Sequence, residues 1–343
     1  MRILFALFLI FTVFYACTSK LDKSSELIMT VTGLIDANAI GKTLEHEHVL
    51  VDFTGAEKVQ QPQYAQKQAL DSLLPYFIQL KAKGVQTLIE CTPNYIGRDI
   101  LLLKSISEQT GLYILTNTGY YAAADKKFLP AHTYTESAEQ LAKRWINEWN
   151  NGINGTGIKP GFIKLGVGKN NLDTTEQKIV KAGALTHLQT GLKIAIHTGS
   201  ANAANDEINI LKEQGVDPMA LIVVHSQNMS SEDQINIIKR GAWVSLDGIS
   251  DEPEAIEKYV NFLEVLKNEN LLHKSLISQD AYWLVISKEN GEFGFEHFGS
   301  PYSAIFDVLI PKLTEKGFTE DDIDQLLIKN PAQAFKIGVC KIN

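Results

Sequence analysis

The chain has 343 residues, 45% hydrophobic and 21% charged, with 24 Gly and 10 Pro; this globular composition excludes wholesale disorder, collagen and coiled coil. Against 40 acidic side chains stand 32 basic ones, a formal charge of −8, and an acidic surface without a basic run excludes nucleic acid as a partner. Three cysteines, Cys17, Cys91 and Cys340, are too few and too scattered for a disulfide framework.

In chain order, Met1-Arg2 precedes an apolar run over 3–15 that ends at Ala16-Cys17. The run is too short to span a bilayer and reads as a signal peptide, 1–16. The Cys after a small residue resembles a lipoprotein lipobox, although Phe14 and Tyr15 are bulkier than that pattern prefers. The expectation is an exported, periplasmic or cell-envelope protein, lipid-anchored at Cys17, touching the membrane through that anchor, with a polar tether over 17–28. A short alternating segment, 29–40, predicts a hairpin. Eight β-rich runs follow, at 43–53, 87–92, 112–119, 161–167, 193–199, 221–227, 243–249 and 275–283. They alternate with amphipathic segments at 64–83, 98–110, 135–150, 175–190, 203–214, 232–239, 254–268 and 302–316. Gly84, Gly111, Gly191, Gly215, Gly241 and Gly317 each follow a helix end, where a C′ glycine belongs. Strand–helix alternation argues for parallel βαβ units, and eight of them predict one α/β domain, 29–343. Its form is a single (β/α)8 TIM barrel with a β-hairpin cap and an extra C-terminal helix, 319–329, ending before Asn330-Pro331.

Polar residues collect at the C-terminal ends of the predicted strands, where barrel enzymes place their sites. The first run carries His46-Glu47-His48, whose imidazoles, two apart on a strand, face one side. The fourth holds Lys164 inside Gly161-Phe162-Ile163-Lys164-Leu165-Gly166; a buried ammonium there must be paired, neutral or modified. The fifth and sixth close on His197 and His225, and the eighth on Asp280. Each alone fits a satisfied core polar residue. Together they suit zinc, manganese, cobalt or iron, among which donor type does not choose. A carboxylate beside an activated water can serve as general base.

These residues resemble those of the phosphotriesterase-related branch of the amidohydrolase superfamily. The likeness runs from about 32 to 335 and includes Gly97-Arg98-Asp99, Thr118-Gly119-Tyr120-Tyr121 and Asn330-Pro331-Ala332. It implies two divalent ions, zinc above all. His46, His48 and Asp280 would hold the buried ion, His197 and His225 the exposed one, and an N6-carboxylated Lys164 would bridge them. It further implies a metal-bound hydroxide as nucleophile, Asp280 as the catalytic general base, Tyr121 lining the pocket, a small-molecule ester substrate and a homodimer.

The departures are informative. Where the phosphotriesterases proper relay a proton outward through a His and an Asp, this chain has Gly248 and Asn228. The stretch after the seventh run is short, whereas that after the eighth, 281–300, is long and aromatic, with Trp283 and Phe295 expected to bind substrate on a mobile lid. That pattern resembles the lactonase-type members and predicts hydrolysis of lactones and carboxylic esters, with phosphotriesters a side activity. The alternatives are a phosphotriesterase proper, an amidase or deaminase of the superfamily, or an exported metal-containing binding lipoprotein. His132, His187, His273 and His297 read as surface or packing residues and Cys91 as a small buried filler. Asp247 reads equally as a site residue or a turn cap.

Overall fold

The computed structural model describes residues 26–59, 62–288 and 291–342. The leader 1–16, the tether up to residue 25 and Cys17 lie outside them. The strands are β1 (Leu27–Thr30), β2 (Gly33–Asp36), β3 (Thr43–Val51), β4 (Thr87–Glu90), β5 (Tyr113–Leu115), β6 (Asn117–Thr118), β7 (Phe162–Gly166), β8 (Ile194–His197), β9 (Leu221–Val224), β10 (Trp243–Leu246), β11 (Ser275–Ile277), β12 (Tyr282–Ser287) and β13 (Phe293–Phe298). β1 and β2 form an antiparallel hairpin over 27–36, which begins inside the stretch expected as tether and ends before the 40 expected of it, because Leu27 and Ile28 already pair with Asp36 and Ile35. The rest is an α/β fold whose central strands pair in parallel and are buried on both faces, as helix-covered parallel sheets require.

The ladders form two sheets, β11-β10-β9-β8-β7-β6 and β13-β12-β3-β4-β5. The third predicted run is divided at Thr116, because β5 pairs with β4 whereas β6 pairs with β7, and the Thr116 carbonyl accepts from Gly161 instead. The eighth run is interrupted over 278–281. β11 pairs with β10, and after the interruption β12 pairs with β3. Across this seam Asp280 N–H donates to His46 O at 3.1 Å and His48 N–H to Ala281 O at 2.9 Å.

Helices cover the sheets where the polar–apolar rhythm placed them, with Ser137, Asp173 and Ser230 each closing a capping box at a helix start. Two expectations are corrected. The stretch 281–300, expected as a mobile lid, holds an antiparallel hairpin of six residue pairs, β12–β13, in which Tyr282 opposes Phe298 and Val285 opposes Phe295. The last helix does not stop at Asn330: helical backbone continues through Asn330–Phe335. A π-type turn over Gln325–Lys329 precedes Pro331, just as one over Ile305–Leu309 precedes Pro311. Proline lacks the N–H for an i→i−4 bond and crowds the preceding turn, and a turn wider by one residue relieves both.

Candidate metal centre

Glycine opens the room that the site needs. At Gly119, φ is +120° and a Cβ would lie 2.2 Å from the Lys164 carbonyl, so only glycine lets the end of β6 approach β7. At Gly166 a Cβ would lie 2.3 Å from the Tyr121 ring, which therefore seats directly on the end of β7.

His46 and His48 project from β3 to the same side, their ring centroids 5.4 Å apart. Glu47, between them, points away and is wholly buried. It accepts from Ser278 Oγ (2.6 Å), Gln279 N (2.9 Å) and Ala281 N (2.9 Å). Burial pushes its carboxyl well above the usual range against the pull of these donors. This clamp shapes the turn that presents Asp280 at φ +53°, a left-handed conformation that a non-glycine residue keeps only when its surroundings enforce it. Asp280 Oδ1 lies 3.2 Å from His48 Nε2 and 3.4 Å from His46 Nε2.

β7 delivers Lys164, 1% exposed, whose Nζ has His46 Nε2 at 3.4 Å as its hydrogen-bonding partner. β8 ends on His197, and His225 follows β9 in the left-handed region at φ +62°, the two rings 4.2 Å apart. Asp247, just beyond β10, is fully buried. It accepts from His225 Nδ1 (2.6 Å), His225 N (3.0 Å), Gln227 Nε2 (2.9 Å) and Ser245 Oγ (2.7 Å). Burial alone would raise its pKa, but the His225 and His46 rings hold it well below the carboxylate range. Asp247 is thus the residue that fixes the tautomer and direction of His225, which decides between its two sequence readings. Burial, reinforced by Lys164 and by His225 respectively, pushes His46 and His197 well below the usual imidazole value, leaving neutral rings with free lone pairs.

All six predicted donors therefore line one cavity of about 380 Å³. Ligand atoms of His46, His225 and Asp280 fall within 4.8 Å of one another, with His48 and His197 beside them. The residues fit a metal centre: the imidazoles of His46, His48 and His197, which burial pushes down, converge with His225, which Asp247 pushes up against its burial, and with a carboxylate. Lys164 is buried against an imidazole with no ion pair among the described residues, so an ammonium suits the site poorly and a carboxylated side chain suits it well.

Tyr121 lines the cavity, its ring 5.0 Å from His197. Trp283 and Phe295 do not. They face the outer side of the hairpin, Trp283 against Tyr76 (4.5 Å) and Phe295 against Tyr64 (5.5 Å). The wall is made by Val51, Phe53, Ile96, Phe128 and Tyr282. Strand alternation carries the signal: in Tyr282-Trp283-Leu284-Val285 the even positions pack with Val51, Ile96 and Phe128 and the odd ones join the core on the other side. At Gly248 a Cβ would lie 2.7 Å from the Tyr259 hydroxyl and 2.9 Å from Gln227 Nε2, so these two side chains occupy the space that a relay imidazole would take. Cys91 lines the cavity as a filler whose thiol burial pushes well up. His187, expected at the surface or in packing, is fully buried and bonded at both ring nitrogens.

Behind His197, the Thr198 hydroxyl lies 2.9 and 3.2 Å from the oxygens of buried Glu207, and burial raises this carboxyl well above its ordinary value. A carboxyl with a raised folded pKa stabilises fully below its unfolded value and loses that contribution as pH rises through the folded one. Glu207→Gln is therefore expected to lessen the fall in stability as pH rises above the ordinary carboxylate value, by at least about 1 kcal/mol in all. Urea midpoints of both proteins across that range check this, and parallel curves would refute it.

Buried imidazoles, a lysine and a carboxylate gathered at the C-terminal ends of parallel strands, beneath an apolar cavity, define a metal-dependent hydrolase acting on ester bonds. The chain belongs to the phosphotriesterase family, whose family model matches residues 26–335. It is 31% identical to the phosphotriesterase homology protein of Escherichia coli, over 86% of this chain and 98% of that one. It is 26% identical to the N-acetyltaurine hydrolase of Homo sapiens, over 91% and 99%. Among solved structures, a mutant of a PTE-like lactonase from Deinococcus radiodurans superposes with a TM-score of 0.78 at 26% identity, covering 90% of this chain and 99% of that one.

These matches correct the expected localisation. The family match begins at residue 26, and the E. coli relative is covered almost end to end by 86% of this chain. Export and a lipid anchor at Cys17 therefore find no support in the relatives, and Phe14 and Tyr15 before Cys17 are too bulky for a lipobox. Among the described residues no helix is long and apolar enough to cross a membrane.

Proposed function

We propose that the protein opens lactones and related carboxylic esters, with phosphotriester hydrolysis a minor activity, in a single (β/α)8 barrel domain closed through the β11–β12 seam. His46, His48 and Asp280 would hold one divalent cation and His197 and His225 a second, with a carboxylated Lys164 available to both. The donors suit zinc, manganese, cobalt or iron. Such cations supply Lewis acidity and water activation at neutral pH.

The observation that carries the lactone reading is the isolation of Asp280. Its carboxylate meets the rings of His46, His48 and His225, while the space beside Gly248 is filled by Tyr259 and Gln227. Asp280 takes the proton of the attacking water and, with Gly248 and Asn228 in place of an outward relay, returns it within the cavity. In lactone opening the leaving alkoxide stays tethered and accepts that proton at once. Tyr121 and Tyr282 flank the donors, and Val51, Phe53, Ile96 and Phe128 give an acyl chain an apolar wall. Similarity to a PTE-like lactonase supports the same class.

Lactones are expected to exceed phosphotriesters in kcat/KM by at least about tenfold, or 1.4 kcal/mol of differential transition-state stabilisation. Tyr282→Ala should shrink that ratio through lost contact with the acyl chain, whereas Trp283→Ala should leave it unchanged and lower stability instead. The assay is a metal-loaded panel of lactones, aryl esters, phosphotriesters and N-acyl amides. Efficient phosphotriester or amide turnover with no lactone exceeding it would reverse the assignment.

A further inference from the structure

At the other end of β8 from His197 lies a second reactive cluster. Lys193, which directly precedes β8, is 4% exposed. Its Nζ donates to Cys340 Sγ at 2.8 Å and to the Gly338 carbonyl at 3.1 Å, and it makes no ion pair among the described residues. A buried ammonium without a counter-charge is costly, and here its side-chain partner is a sulfur nucleophile. Neither atom is free to drift. The Cys340 N–H donates to His187 Nε2 at 2.8 Å, and His187 Nδ1 is bonded to the Leu192 carbonyl at 2.8 Å. The Cys340 carbonyl accepts from Asp217 N at 3.0 Å, Gly338 N–H donates to Gly191 O at 2.9 Å, and Lys341 bridges Val216. The C-terminal tail thus holds its thiol against the lysine from several independent anchors. Cys340 itself is 9% exposed beside the exposed Val339 and Ile342, so a small oxidant needs only a slight opening to reach the sulfur.

We propose that Cys340 and Lys193 form a reversible oxidative cross-link, a sulfenamide, with a hydroperoxide as oxidant. The Cys340 sulfur attacks the terminal peroxide oxygen and the O–O bond breaks. The thiol proton leaves with the other oxygen as water or an alcohol, and the cysteine becomes a sulfenic acid. The Lys193 ammonium gives up one proton, the freed nitrogen lone pair bonds to the sulfur, and the S–O bond breaks, the hydroxide leaving as water with a second nitrogen proton. One peroxide is reduced and the sulfur is oxidised by two electrons. The remaining gap is closed by torsions of the lysine's flexible stem. An external thiol attacking the sulfur releases the amine and, through a mixed disulfide, regenerates Cys340. The link ties the tail to the first residue before β8, closing a long loop of chain and so restraining the unfolded state.

The test is peptide mapping of the full-length, metal-loaded protein after native exposure to hydrogen peroxide. The expected product joins the peptides of Lys193 and Cys340, lighter than their sum by two hydrogen atoms. Tryptic cleavage after Lys193 should be suppressed, and dithiothreitol should restore both peptides. The unfolding midpoint of the oxidised protein should rise by at least about 3 °C. Lys193→Arg, which retains a buried cation, should show neither the linked peptide nor the rise. Cys340 that stays unmodified, or gains only oxygen while Lys193 remains free, would overturn the proposal. So would a link that forms equally well in urea, since the folded geometry would then have no part in it.

Discussion

Asp280→Asn is expected to lower kcat/KM for a lactone by at least about a thousandfold, a loss near 4 kcal/mol of transition-state stabilisation. Asparagine has almost the same shape, and the turn that holds position 280 is clamped by Glu47 through Ser278, Gln279 and Ala281 rather than by Asp280 itself. The substitution therefore removes the charge and the proton acceptor while leaving the backbone in place. Metal analysis on the same samples separates the two roles of the carboxylate. Retained metal with lost activity identifies the base, whereas joint loss identifies the ligand. Activity within about tenfold of the parent, with metal retained, would contradict a base at this position.

Lys164→Ala is expected to cost most of the bound metal and, with it, activity by about a thousandfold or more. Lys164 is buried against His46, at 3.4 Å, where a carboxylated side chain would place negative charge among the imidazoles. Truncation to alanine opens a slot that a short-chain carboxylic acid or bicarbonate can enter, so adding either should restore part of the metal content and of the rate. Lys164→Arg tests the same point from the other side, because a guanidinium cannot be carboxylated. Normal metal content in the arginine variant would show that position 164 serves as a buried cation and not as a bridge.

Much of this was legible in the linear sequence, for physical reasons that can be named. The period of two on a strand placed His46 and His48 together, and apolar runs closing on His197, His225 and Asp280 marked strand ends. Helix starts were written in local chemistry, as at Ser137 and Asp173, where the capping side chain is three residues from its partner. The donor set was therefore readable because it depends on strand ends and on a local alternation. Tertiary structure alone decided the rest. The clamp from Glu47 to 278–281 spans more than two hundred residues of chain, and so does the Gln68 side chain reaching the Phe293 carbonyl across the back of the β12–β13 hairpin. Which face of that hairpin covers the cavity follows from packing against the helix Gln66–Ala82, a distant element, so among the aromatics of 281–300 it is Tyr282, and not Trp283 or Phe295, that meets the cavity. Asp247 likewise became a partner of His225 only once β9 and β10 lay side by side. Local propensities and strand parity act within a few residues and are written along the chain; the direction of a buried hydrogen bond is set by whatever folding brings opposite it.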